Sequence, residues 1–114
     1  MSLQNQNIVD AIGVEISTES VVLTIADSWD WIDVHAHLSA LQAKLNFYFE
    51  FIESGQIWDV YPSAKGRQLV IDVVARFPMP TSGRKLLEIA SEVASQLEVI
   101  IRFSIYEMNP GSEL

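Results

Sequence analysis

The fold is decided by one stretch, Val34–Glu53, which reads VHAHLSALQAKLNFYFEFIE. Its apolar residues recur at spacings of three and four: Val34, Leu38, Leu41, Leu45, Phe49 and Ile52. A polar stripe runs along the opposite side: His35, Ser39, Gln42, Asn46, Glu50 and Glu53. This periodicity predicts a helix of about twenty residues. Gly55 is a natural end for it, and the extra aromatic residues indicate a helix that lies across a sheet.

Two β-branched runs precede this helix, and the segment between them suits a hairpin loop. The runs are Ile8–Ile16 and Val21–Ala26, separated by the polar residues Ser17–Ser20. In the second run apolar residues alternate, which predicts a strand with one buried side. The acids that follow, Asp27, Asp30 and Asp33, are candidate caps for the helix start.

Three further elements are expected after Gly55. Ile57–Tyr61 is a short apolar run that ends at Pro62, which favours an edge strand. Gln68–Phe77 is a second long strand, with a basic turn, Lys65-Gly66-Arg67, before it. A second helix is expected at Ser82–Gln96, with Thr81 or Ser82 as N-cap, and Val99–Tyr106 is a final strand. The expected buried stripe of the second helix comprises Leu86, Ile89, Ala90, Val93 and Leu97.

The predicted fold class is α+β, a two-layer sandwich in the order β-β-α-(β)-β-α-β. Its sheet is expected to have four to five mainly antiparallel strands, with two helices on one face. Residues 1–114 form a single domain in this interpretation, with an ordered core at about 8–107 and loose ends at Met1–Asn7 and Asn109–Leu114.

Composition and charge narrow the classes of function. The chain has 114 residues, 49% of them hydrophobic, and no Cys, which excludes disulfides and thiolate metal sites. The net charge is −8, and residues 1–60 hold nine acids and one base. This balance argues against nucleic acid and anionic membrane as partners. No apolar run is long enough to span a membrane and no signal peptide is visible, so a cytoplasmic location is expected.

Four segments carry a resemblance to a known kind of protein. They are Val21–Asp27, His37–Asn46, Phe51–Gln56 and Tyr61–Arg67. In these segments the chain resembles a family of small, uncharacterised bacterial domains, over roughly Ile8 to Phe103. The resemblance implies a bacterial single-domain protein and no activity, cofactor or catalytic residue.

One motif points to metal chemistry, but its context argues against a metal site. Asp33-Val34-His35-Ala36-His37 resembles the Asp-x-His-x-His signature of amidohydrolase-type metalloenzymes. The chain is too short for the barrel of those enzymes and holds only two His. On a helix the two rings would also point about 200° apart. We therefore expect neither a metal nor another cofactor.

A weak anion-binding site is expected where the second helix begins, at Thr81, Ser82, Gly83, Arg84 and Lys85. Free N–H groups, two hydroxyls and two cations could hold a phosphate or a carboxylate. The alternative is that Arg84 and Lys85 point into water or pair with Glu88 and Glu92.

A weak partner-binding surface is expected in the acidic first half of the chain: Asp27, Trp29, Asp30, Asp33, Glu50 and Glu53. Trp residues among acids suit a recognition surface. The alternative is that Trp29 and Trp31 fasten the helix to the sheet while the acids cap it.

These observations favour a non-enzymatic protein-interaction or regulatory domain that binds a basic protein partner. Whether the chain is an enzyme stays open, although no catalytic signature is visible. The alternative function is a small anionic-ligand binder or enzyme that uses the helix start at Ser82–Lys85. A homodimer is also expected, because the sheet face opposite the helices is too apolar for a wet surface. The alternative is that an extended loop or a terminus of the same chain folds back over this face. That dimer face comprises Val22, Val70, Val74, Arg76, Ile100, Arg102 and Tyr106.

Overall fold

Residues 2–106 are described by the structure, a computed structural model. Four strands and three helices follow one another in this part of the chain. They are β1 (Ala11–Val14), β2 (Val21–Asp27), α1 (Val34–Glu53), α2 (Gln56–Val60), β3 (Leu69–Ala75), α3 (Thr81–Gln96) and β4 (Val99–Ile105). Short 3-10 turns lie at Ser2–Gln4 and Pro62–Ala64. The coarse α+β prediction is therefore confirmed.

The sheet is four-stranded in the order β1-β2-β3-β4. β1 pairs with β2 antiparallel, whereas β2 with β3 and β3 with β4 are parallel pairs. The expectation of a mainly antiparallel sheet is thus wrong. Between the two strands of each parallel pair, a helical connection returns the chain to the end of the sheet where the previous strand began. Successive strands therefore run in the same direction. Both crossovers step in one direction across the sheet, and α1 contacts α3 on one face.

The core lies between this sheet and the two long helices. In β2 and β3 every second side chain is buried against the helices, as the alternation predicts. The core side chains of these strands are Val21, Leu23, Ile25, Leu69, Ile71 and Val73. They pack against apolar side chains of α1, including Leu41, Leu45, Phe49 and Ile52. A molecule 22 Å thick in its shortest dimension fits one sheet layer and one helix layer.

The expected edge strand at Ile57–Tyr61 is wrong, because this segment forms the short helix α2. Gly55 takes a φ of 86°, which lets the chain end α1 and begin a new helix immediately. Its backbone carbonyl accepts a hydrogen bond from Trp58 N–H at 3.0 Å. Gly66 has a φ of 80° in the basic turn.

The start of the chain is also better anchored than its composition suggests. Leu3 is fully buried in the core, so the expected loose segment Met1–Asn7 is wrong for its described residues. Met1 and the predicted loose end Asn109–Leu114 lie outside the described residues. None of the helices in residues 2–106 has the length and hydrophobicity of a membrane span.

Helix α3 buries only part of the predicted stripe: Ala90 is buried, and Leu86 and Leu97 pack against the core. Gly83, Leu87, Ala90 and Ala94 are buried, while Ile89 is 63% exposed and Val93 is also exposed. Three of these four buried residues are Gly or Ala, so the helix packs on the sheet mainly through small side chains. The predicted stripe consisted mostly of larger apolar residues. The predicted N-cap is wrong as well: the cap position is Pro80, with no side-chain hydrogen bond.

Candidate functional site

A buried His–Asp pair lies at the carboxyl end of β2, one of the parallel strands. Asp27 is the last residue of β2, and His37 lies in the first turn of α1. The distance between His37 Nε2 and Asp27 Oδ2 is 2.5 Å. His37 Nδ1–H donates to the Asp30 carbonyl at 2.8 Å, since a carbonyl can only accept. Two lone pairs cannot approach to 2.5 Å, so one proton lies between Nε2 and Oδ2.

Aromatic rings close this pair off from solvent. Trp31 stacks on the His37 ring with centroids 3.5 Å apart, and Trp29 approaches it edge-on at 5.8 Å. His37 and Asp27 are 1% and 2% exposed. Burial raises the pKa of Asp27, against the opposing hydrogen bond from His37. A substrate cannot reach the pair in this conformation, so its role here is to join α1 to the end of β2.

The histidine motif does not converge on one point. His35 is exposed, whereas His37 is buried in the pair just described. Asp33 caps α1, because its Oδ1 accepts a hydrogen bond from Ala36 N–H at 3.1 Å. Within residues 2–106 no three His, Asp or Glu side chains lie close enough together to hold a metal ion.

The candidate anion site at the start of α3 is only partly assembled. Gly83 is buried, and a Cβ built on it would lie 2.4 Å from Met79 Cγ and 3.1 Å from Trp31 Cη2. Arg84 and Lys85 are exposed, and Arg84 Nε donates to the nearby Met79 carbonyl at 3.4 Å. Thr81 is exposed and Ser82 is half-buried. Anion binding by these residues stays a prediction.

The acidic residues of the first half are not brought together. Asp27 is buried and therefore belongs to no partner-binding surface, which corrects its inclusion there. Asp30 and Asp33 are exposed near the start of α1, where their carboxylates accept hydrogen bonds from Ile32 and Ala36. Glu50 and Glu53 are exposed at its other end, about 25 Å away along the helix axis. A basic partner for these acids stays a prediction.

The sheet face opposite the helices is crossed by an ion cluster centred on Arg102. The guanidinium of Arg102 contacts both carboxylate oxygens of Glu15 at 3.0 and 3.3 Å. Its Nε lies 3.2 Å from Asp72 Oδ2 on the neighbouring strand. The hydrogen bonds from Arg102 and Thr18 lower the pKa of Glu15, and the same contact with Glu15 raises the pKa of Arg102. The side chain of Arg102 is therefore drawn back over its own sheet.

The predicted dimer face is uneven in exposure. Val70 is 4% exposed and so already buried, which removes it from that surface. Val22, Val74 and Arg102 are half-buried. Arg76, Ile100 and Tyr106 are exposed, and the last two lie along β4 and just beyond its end. The exposed apolar part of this face is thus concentrated at the β4 side.

Strand β4 is an open sheet edge, which sequence reasoning did not single out. Tyr106 N–H donates to the Ala75 carbonyl at 2.7 Å, so the backbone groups of Ile100, Arg102, Ser104 and Tyr106 point towards β3. Backbone groups alternate along a strand, so those of Val99, Ile101, Phe103 and Ile105 point away from the sheet. Among residues 2–106 no strand pairs with them.

A groove of about 350 Å³ lies beside this edge, between α3 and the helix-facing side of β4. Both apolar and charged residues line it: Met79, Arg84, Leu87, Glu88, Ser91, Ile101, Arg102 and Phe103. Arg84 therefore belongs to a groove rather than to an isolated helix start. No local signal in the sequence marks this edge, because VIIRFSI has no Pro and a single charge, whereas edge strands commonly carry Pro or several charged residues.

A second buried polar network fastens the N-terminal segment to the core. Lys44 is 0% exposed, and its Nζ donates to Asp10 Oδ1 at 2.9 Å and to the carbonyls of Asn5 and Ile8 at 2.7 Å each. Tyr48 donates to the Thr24 carbonyl and accepts from Asp10 N–H. Burial raises the pKa of the Tyr48 hydroxyl. The available signal was a Lys placed among Leu41, Leu45 and Tyr48 on the apolar stripe.

The class of protein that these features define is a two-layer αβ domain: one mixed sheet with its helices on one face and, among residues 2–106, one long edge strand without a partner strand. The chain belongs to a family of unknown function, DUF6572, whose profile matches residues 1–107. The predicted resemblance to an uncharacterised family is therefore confirmed. Comparison with curated proteins and with solved structures finds no match.

Proposed function

We propose that this protein is a non-enzymatic protein-interaction domain that docks an extended segment on the open edge of β4. One observation carries the proposal: no strand within residues 2–106 pairs with the outward-facing backbone groups of four β4 residues, and the one charged side chain of β4 is turned away from the edge. Charges on edge strands normally discourage pairing with another chain. Here Arg102 is held by Glu15 and Asp72 instead.

The other edge of the sheet is a weaker candidate. β1 has four residues, whereas β4 has seven. Short edge strands offer little for another chain to pair with. The difference in length favours β4 as the docking edge.

The groove beside β4 suits the side chains of an added strand. In strand addition, main-chain hydrogen bonds supply affinity and pockets take alternate side chains of the guest. Ile101 and Phe103 offer apolar contact on the helix-facing side, and Arg84 and Glu88 offer charged contacts of both signs. A guest segment with apolar residues alternating with polar ones would complement this surface.

A matched pair of variants at Ile105 tests the proposal. Ile105→Pro removes an N–H that points away from the sheet, so the β3–β4 ladder stays intact while pairing on the free edge is blocked. Ile105→Ala removes the side chain and keeps the N–H. Immobilised wild-type protein and Ile105→Ala should retain the same binding protein from a native extract, and Ile105→Pro should lose it.

Circular dichroism and thermal melting must first show that all three proteins fold alike. The same protein retained equally by Ile105→Pro and by the wild type would contradict docking on the β4 edge. Retention of no protein by the wild type would contradict it too.

A further inference from the structure

We infer that the segment docked on β4 is β4 of a second copy of this chain, paired antiparallel around a twofold axis at Arg102. The inference rests on the proposed function, because it names the occupant of the same edge. A symmetric pair of this kind would join two four-stranded sheets into one continuous sheet. Closed twofold dimers are the commonest form of self-association.

The backbone geometry of β4 selects the register. Antiparallel partners exchange hydrogen bonds between residues whose backbone groups both face the shared edge. These residues are Val99, Ile101, Phe103 and Ile105. An axis at Arg102 sets Ile101 opposite Phe103 of the second copy, and Val99 opposite its Ile105. All four residues are then paired on each chain, whereas an axis at Ile101 or Phe103 leaves part of the strand without a partner.

The side chains of these residues fit the same arrangement. They all project towards the helix layer, where Ile101 and Phe103 are half-buried and Ile105 is 40% exposed. Pairing places an aromatic ring against a β-branched side chain, which is a favourable cross-strand contact. It also covers Ile105 with Val99 of the second copy. The dimer therefore buries apolar surface that the single chain leaves open.

Charge complementarity also favours a second copy over a strongly charged partner. Residues 61–114 hold six acids and six bases, so this half of the chain is neutral. The net charge of −8 lies in residues 1–60, whose strands β1 and β2 are at the opposite end of the sheet. Arg102 would face Arg102 of the second copy, but Glu15 and Asp72 neutralise each guanidinium. Arg84 and Glu88 give each groove both signs of charge.

Engineered cysteines test this register, since the native chain has no Cys. With the axis at Arg102, Ile100 faces Ser104 of the second copy, in a non-hydrogen-bonded pair whose Cα atoms lie about 4.5 Å apart. That spacing suits a disulfide. Within one chain the two residues are about 13 Å apart, so they cannot be joined. The double variant Ile100→Cys with Ser104→Cys should form a covalent dimer under mild oxidation in most of the protein, and either single variant should not.

Sedimentation equilibrium at micromolar concentration provides the second readout. The wild type and Ile105→Ala should show twice the monomer mass of 12.8 kDa, and Ile105→Pro should show the monomer mass. A monomeric wild type, or a dimer in which the double cysteine variant fails to cross-link, overturns the inference. If the wild type is monomeric yet retains another protein that Ile105→Pro loses, pairing with a second copy is wrong, while the proposed docking of a segment on β4 is supported. If the wild type is monomeric and retains no protein, both the dimer and the docking function are contradicted.

Discussion

Asp27 and His37 hold one proton between them in a space that Trp31 closes to water. Because burial raises the pKa of Asp27, the folded protein keeps this proton at pH values where the unfolded chain has released it. A free imidazole in the unfolded chain takes up this proton below about pH 6.5, so unfolding releases a net proton only above that range. The sign follows from linkage: the free energy of unfolding falls as the pH rises above about 6.5, until the folded pair loses its shared proton.

Asp27→Asn should remove this part of the pH dependence, because an amide does not titrate. Denaturant unfolding at a series of pH values from about 4 to 8 measures it. Asp59→Asn is the matched control, since Asp59 is exposed and the charge change is the same. The control should keep the wild-type fall in stability. Equal slopes for the two variants would contradict the shared proton.

Lys44 supports a second prediction at the scale of one residue. Lys44→Met keeps most of the side-chain volume but removes the charge, which leaves the Asp10 carboxylate and the carbonyls of Asn5 and Ile8 without their donor. Removing one member of a buried pair costs about 3–5 kcal/mol. Lys65→Met, at an exposed lysine, should change stability by no more than about 0.5 kcal/mol. Urea unfolding of both variants checks the difference, and equal effects would refute the buried-pair account.

The Asp27–His37 pair and the network around Lys44 show what the sequence alone could not predict at the scale of single residues. The hydrophobic period predicted which side of the helix is buried, and His37 and Lys44 both lie on that side. It could not show that Asp27 and Asp10 lie opposite them, because each partner comes from a different element. The same limit explains why Asp27 was interpreted as a surface acid: its burial depends on Trp31, which folds back over the helix start.

At the scale of elements, local patterns predicted the strands β2, β3 and β4 and the helices α1 and α3 to within a few residues. Alternating apolar residues and the stops at Gly55 and Pro78–Pro80 are local signals. Strand direction has no local signal in the sequence, because it depends on the end of the sheet to which the crossover helix returns the chain. The segment Ile57–Tyr61 was misread because its five residues fit either a strand or one helical turn.

The contact between α3 and the loop before it gives an element-scale prediction. Gly83→Ala should destabilise the protein by about 1–3 kcal/mol through overpacking against Met79 and Trp31. Helix propensity alone would make Ala more stable than Gly at this position by about 1 kcal/mol, so the expected change in stability has the opposite sign. Gly13→Ala is the control, because a Cβ there meets nothing within 4 Å.

The mechanism of that effect can be separated from a general loss of helix stability. In a Met79→Ala background the added methyl group has room, so Gly83→Ala should become neutral or stabilising. Thermal melting of the four proteins in this cycle measures the coupling. A Gly83→Ala variant that is more stable than the wild type would show that the close contact does not exist.

At the scale of the whole molecule, one sheet face carries both long helices, and no strand of residues 2–106 pairs with the outer edge of β4. The sequence analysis placed the contact surface on the sheet face opposite the helices. The structure shows Val70 already buried there and Arg102, Glu15 and Asp72 crossing the face, which leaves the exposed apolar residues near β4. A free edge could not be inferred from single strands, because it exists only once the strand order is known.

Residue-resolved hydrogen exchange along β4 tests the central claim, that this edge pairs with a second copy. The amides of Arg102 and Ser104 point towards β3, whereas those of Ile101 and Phe103 point away from the sheet. In dilute protein the account predicts alternating exchange, slow at Arg102 and Ser104 and fast at Ile101 and Phe103. In concentrated protein Ile101 and Phe103 should become as protected as their neighbours. Fast exchange at these two amides at every concentration up to the millimolar range would contradict the account.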